Sequence, residues 1–121
     1  MRFGGVCFIT DDVSRLVSFY ERLFGTKATG DHNHAELSAC GVKVAFFTRS
    51  GMESLAPGSM SGAGNGAITL NFEVSDIESE YRRVCQMGAQ IIKPLQTHPW
   101  GAKSFWFRDP DRNILSFYQM V

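Results

Sequence analysis

No stretch of this chain is apolar for long enough to span a membrane; polar and charged residues interrupt every hydrophobic run well short of that length. The chain also has no surplus of either charge. Twelve Lys and Arg balance twelve Asp and Glu, and Arg82-Arg83 is the one adjacent basic pair. That leaves no electrostatic footprint for a nucleic acid or an anionic lipid surface, so neither is expected as a partner. Cysteine is scarce as well. Cys7, Cys40 and Cys85 are odd in number, far apart and without a Cys-x-x-Cys, which argues against a disulfide framework. Reduced thiols in a cytoplasmic setting are the expectation. The first ten residues meet Asp11-Asp12 with no small-residue cleavage site, so a secretory leader is not expected.

What is present is an ordinary globular composition, 44% hydrophobic and 20% charged over 121 residues. That suffices for one domain with a real core and is too little for two independent ones.

The chain is written twice. Residues 3–9 and 68–74 read as strands ending at Thr10-Asp11-Asp12 and Ser75-Asp76. After each comes a helical pattern: Val13, Leu16, Val17, Tyr20 and Leu23, then Ile77, Tyr81, Val84 and Cys85, at three- and four-residue steps. Asp12 is a fitting N-cap for the first helix. Ser75-Asp76-Ile77-Glu78 fits a capping box for the second, with Glu78 reaching back to the cap amide. Both helices run out near glycine, at Gly25 and Gly88. Strands are then expected at 26–30, 34–38 and 42–48 in the first half, and at 89–93, 104–108 and 114–119 in the second. A strand–helix unit recurring at half the chain length implies two copies of one β-α-β-β-β module. The modules are 1–49 and 67–121. Residues 50–66, rich in glycine and serine, read as a plain flexible linker. They contain no Gly-Lys-Ser/Thr to mark a phosphate loop.

This duplicated pattern resembles the vicinal oxygen chelate superfamily, also called the glyoxalase/bleomycin resistance/dioxygenase family. The resemblance rests on Thr10-Asp11-Asp12-Val13 leading into Phe19-Tyr20 and Leu23-Phe24-Gly25, and on Val74-Ser75-Asp76-Ile77. Pro99-Trp100-Gly101 and Asp109-Pro110-Asp111-x-Asn113 complete the set. It implies an α+β domain of two tandem βαβββ modules, with curled mixed sheets and the helices outside. It also implies a homodimer. Metal-dependent members place His, Gln or Glu ligands on the first and last strand of each module. Carried onto this chain, the first-strand positions fall on Gly5 and Thr69, and the last-strand position of the second module falls on Ser116. Residues 42–47 offer no likely ligand either. A divalent ion of this class needs several imidazole or carboxylate donors, so no metal cofactor is expected.

Strand alternation indicates what faces the expected cavity. Leu70, Phe72 and Val74 form an apolar face, leaving Thr69, Asn71 and Glu73 opposite. Leu115 and Phe117 likewise leave Ile114, Ser116 and Tyr118, and the first strand leaves Gly5, Cys7 and Ile9. Small groups with aromatic neighbours suit a flat organic ligand. The residues expected to line the site are Cys7, Asn71, Trp100, Trp106, Ser116 and Tyr118, with Thr69 and Phe47 as weaker candidates.

Other residues invite chemistry. His32, His34 and Glu36 alternate as a metal set would, though exposed turn and edge positions explain them better. His98 beside Pro99-Trp100 could serve as an acid or base. Cys7 has no histidine locally placed to activate it. Asp109-Pro110-Asp111 reads as turn chemistry, with Arg112 where the family usually has glycine. The leading expectation is a metal-independent protein that binds, and in one outcome sequesters, a small aromatic or amphipathic molecule. Its first rival is a metal-dependent glyoxalase-like lyase or extradiol-type dioxygenase. A second is a metal-free isomerase or lyase relying on His98 or Glu73.

Overall fold

The computed structural model describes residues 3–64 and 68–121; the end of the expected linker at 65–66, and residue 67, lie outside them. The chain divides into two compact units, Met1–Ala63 and Gly64–Val121. The first runs β1 (Val6–Thr10), α1 (Val13–Phe24), β2 (Thr29–Gly30), β3 (His34–Ala39), β4 (Val42–Thr48) and α2 (Arg49–Leu55). The second runs β5 (Thr69–Glu73), α3 (Ile77–Gln86), β6 (Gln90–His98), β7 (Ala102–Arg108) and β8 (Ile114–Met120). Each builds a four-stranded mixed sheet with the same order, β1-β4-β3-β2 and β5-β8-β7-β6. In both, the opening strand pairs in parallel with the closing one and the rest are antiparallel. This is the expected duplicated α+β architecture.

Burial shows why these segments fold as they do. In the first unit Leu16, Tyr20 and Phe46 are fully buried. Tyr20 stacks on Phe8 with ring centroids 4.9 Å apart and leans on Phe46 at 5.6 Å. One face of α1 thereby seals one face of the sheet. In the second unit Phe105, Phe107 and Phe117 interlock at 5.1–5.6 Å. Tyr81 of α3 meets Phe105 edge-on at 5.0 Å. Aromatic pairs in such geometries add to what their buried area already contributes.

Asp12 caps α1 as expected, its carboxylate accepting the Arg15 amide at 3.0 Å. The helix α3 begins one residue later than the capping-box reading placed it. Asp76 is the cap and accepts the Ser79 amide at 3.1 Å. Glu78 points to β7, where Lys103 donates to it at 2.6 Å. That ion pair, with the Glu78 carboxyl held below its usual range chiefly by the lysine bond, outcompetes a return to the cap.

Two further expectations change. Part of the glycine-rich segment is folded: Thr48 caps α2 through the Gly51 amide at 2.9 Å, and Glu53 accepts the Gly58 and Met60 amides at 2.7 and 3.0 Å. Short-range capping of this kind escapes a reading based on composition. β6 continues well past Lys93, through Pro94, to His98. It is an edge strand, and its pairing with β7 shifts register between Lys93 and Gln96, where a residue without an N–H is tolerated.

The β7–β8 turn is tied by buried Asp109, which accepts the Asp111 and Asn113 amides at 2.8 and 2.9 Å and the Asn113 side chain at 2.8 Å. Arg112 sits at φ 67, in the left-handed region. A non-glycine residue there is strained by about 1 kcal/mol, partly offset because glycine loosens the unfolded chain. Arg112→Gly is therefore expected to raise the free energy of unfolding in urea by a few tenths to about 1 kcal/mol. A loss of stability would show that the arginine side chain holds the turn.

Candidate functional site

Strand alternation turns the aromatic packing of the second unit into a statement about its other face. Because Phe105, Phe107, Leu115 and Phe117 are buried on the α3 side, their neighbours Ser104, Trp106, Ser116 and Tyr118 point away from the helix. The register assembles these into rows. Asn71 pairs with Ser116, Ser116 with Trp106, and Trp106 with Lys93, crossing all four strands. The adjacent row is Glu73, Tyr118, Ser104 and Gln96. Ser104 and Ser116 are small and buried on the central strands, while Trp106 is 40% exposed. The face thus has a floor of hydroxyls with indole and phenol standing beside it.

One hydrogen-bonded chain runs along the β6 edge of this face. The Lys93 ammonium donates to the Ser104 carbonyl and to its hydroxyl, both at 2.9 Å. His98 Nε2 meets the same hydroxyl at 2.8 Å, and the imidazole stacks on Trp100 at 4.4 Å and 3°. Lys93 also lies over the Trp106 ring, 5.4 Å from its centroid. Desolvation pushes the lysine pKa below its ordinary value.

Of the expected site residues, Asn71, Ser116 and Trp106 are consecutive in one row, and Thr69 and Tyr118 share their face. Trp100 lies at the β6–β7 hairpin, 72% exposed. Cys7 and Phe47 belong to the first unit. Cys7 is exposed beside Ala45 on β4. Phe47 is half-buried, with the His34 ring at 5.7 Å. Lys93 and Ser104 were missed by the sequence reading. Ser104 stands two residues before Trp106 and so had to share its face, but Lys93 precedes Pro94 and read as a strand end.

The two parallel registers also fix a position left open by the sequence. Cys7 pairs with Ala45 as Asn71 pairs with Ser116, so Ala45 is the first unit's counterpart of Ser116. The positions onto which the resemblance carries metal ligands are therefore Gly5 and Ala45 in one unit and Thr69 and Ser116 in the other. None has an imidazole or carboxylate. Gly5 is at φ 136, and a Cβ there would collide with the Lys43 carbonyl. The His34 and Glu36 alternative has other partners, since Glu36 pairs with Lys43 at 3.6 Å. Among the described residues no group of three or more His, Cys, Asp or Glu could hold a metal ion.

The family model for the Glyoxalase/Bleomycin resistance protein/Dioxygenase superfamily matches residues 2–117. The chain belongs to this superfamily. The chain is similar to the uncharacterised protein YraH of Bacillus subtilis, 24% identical with both chains fully covered. TioX from Micromonospora sp. ML1 is 26% identical, with a TM-score of 0.75 over 99% of this chain and 100% of that one. A glyoxalase/bleomycin resistance protein/dioxygenase family enzyme from Burkholderia phytofirmans PsJN shares the fold at a TM-score of 0.86, with 18% identity and 98% of each chain covered.

Cys7 is accessible, yet partial burial pushes its thiol above the ordinary value. At neutral pH it is held as the weakly nucleophilic thiol. Alkylation of Cys7 by iodoacetamide, followed by peptide mass spectrometry, is expected to be slower at pH 7.5 than that of free cysteine and to rise steeply only in alkali. Faster reaction at pH 7.5 would mark it as an activated nucleophile.

Proposed function

We propose that this protein is a metal-independent binder of a small, flat, partly aromatic molecule, working as a cytoplasmic homodimer. The observation that carries this reading is the row Asn71, Ser116, Trp106 on the helix-free face of the second sheet. It offers an amide, a hydroxyl and an exposed indole in contact range of one another, which is the mix of few polar groups and apolar surface that small-molecule sites use. The side chains at the family's ligand positions do not fit a divalent ion, and at Gly5 no side chain fits at all. Nothing in the proposed role requires turnover; sequestering the bound compound is sufficient. Three free, exposed cysteines agree with a reducing compartment, and no helix among the described residues is long and apolar enough to cross a membrane.

A second reading, a metal-free isomerase or lyase, draws on the bridge that Ser104 makes between His98 and Lys93. Hydrogen-bonded groups of this kind can shuttle a proton.

The test is a thermal-shift screen of flat organic compounds on protein treated with a chelator and checked for residual metal. Binding is expected to persist without metal. Trp106→Ala, which removes a half-exposed ring, is expected to weaken a hit roughly tenfold while leaving the fold intact. Stoichiometric metal that supports turnover would overturn the binder reading. Turnover by metal-free protein that His98→Ala abolishes would favour the second.

A further inference from the structure

The charges of the second unit are arranged differently on the two faces of its sheet. On the helix side Lys103 is paired with Glu78 and Arg83 with Glu80, both at 2.6 Å. On the open face, Lys93 is held by two neutral oxygens of Ser104 and by the Trp106 ring. Arg108, two residues from Trp106 on the same strand face, donates to the Arg112 carbonyl at 2.7 Å. Among the described residues neither cation has a carboxylate partner. Glu73 shares the face, but two strands away from β7 on β5.

We propose that Lys93, set over Trp106, forms a subsite for the carboxylate of a planar aromatic acid whose ring lies against the indole. This deepens the binder reading above and rests on it. An ammonium has three donors, and two of those on Lys93 are spent on Ser104. The remaining N–H therefore has a fixed direction. His98 completes that fixation: with Lys93 donating to the Ser104 hydroxyl, the serine proton is free to go to a neutral imidazole at Nε2. Ser104 and His98 thus act as positioning residues, and Lys93 makes the contact. A cation already desolvated and lacking a counter-charge gains more from an incoming carboxylate than a hydrated surface lysine would. The indole discriminates in the same direction by favouring a flat ring over an aliphatic chain.

The probe pair is 2-naphthoate and its uncharged analogue 2-naphthamide, measured by calorimetry on chelator-treated protein. Wild type is expected to prefer the acid by about tenfold, the size of one charge-assisted contact. Added sodium chloride should weaken the acid and leave the amide unchanged. Lys93→Gln should bring the two affinities together by weakening the acid alone, and Lys93→Arg should retain the preference. If the glutamine variant fails to fold, the salt dependence in wild type still decides the matter. Equal binding of acid and amide by wild type would overturn the subsite while leaving the binder reading in place. A preference that survives Lys93→Gln would overturn it too. Failure of both compounds to bind wild type would overturn the subsite, and the thermal-shift screen would then judge the broader reading separately.

Discussion

Phe105, Phe107 and Phe117 interlock against α3 on one face of the second sheet, and every other feature of that unit follows from the choice of face. A strand cannot bury two successive side chains in the same direction. Once these rings are committed to the helix, Ser104, Trp106 and Ser116 must stand on the opposite side. Parallel pairing of β5 with β8 then brings Asn71 beside Ser116, and antiparallel pairing of β8 with β7 brings Ser116 beside Trp106. A one-residue slip would exchange the two faces, so the hydrophobic core and the candidate site specify each other.

The duplicated module applies the same logic to the first unit with different residues. Cys7, Ala45 and Glu36 occupy the equivalent row across β1, β4 and β3. Here Glu36 is paired with Lys43 at 3.6 Å, and Gly5 is packed so closely against the Lys43 carbonyl that any side chain would displace backbone. Backbone clash of this kind is a stronger obstacle to an imidazole ligand than the mere absence of one, because a single substitution cannot repair it. The scaffold is that of the glyoxalase/bleomycin resistance protein/dioxygenase superfamily. The open face of its second sheet carries hydroxyls, an indole and, in Lys93, a cation without a carboxylate partner among the described residues.

Much of this was legible in the amino-acid sequence, for identifiable reasons. Alternation in 69–74 and 114–118 assigned Asn71, Ser116 and Tyr118 to their face because Leu70, Phe72 and Val74, and then Leu115 and Phe117, mark the buried side of each strand. Asp12, Gly25 and Gly88 marked helix ends through local chemistry that needs no tertiary context. Other features depend on partners remote in sequence. Glu78 was expected to cap its own helix but bonds Lys103 on β7, a contact that only the fold brings within reach. Pro94 read as the end of a strand, and on an interior strand it would have been one. β6 lies at the sheet edge, so the strand continues and carries His98 back over Ser104. Ala45 could not be singled out within 42–47 because register is a property of two strands.

The central claim is that ligand binds the helix-free face of the second sheet without metal. Amide and indole chemical-shift mapping on isotope-labelled, chelator-treated protein, titrated with 2-naphthoate, tests it most directly. The account predicts that the largest shifts fall on Asn71, Lys93, Trp106 and Ser116, with α3 residues such as Val84 little affected. Shifts concentrated on α3, or shifts that appear only after a divalent ion is restored, would contradict it.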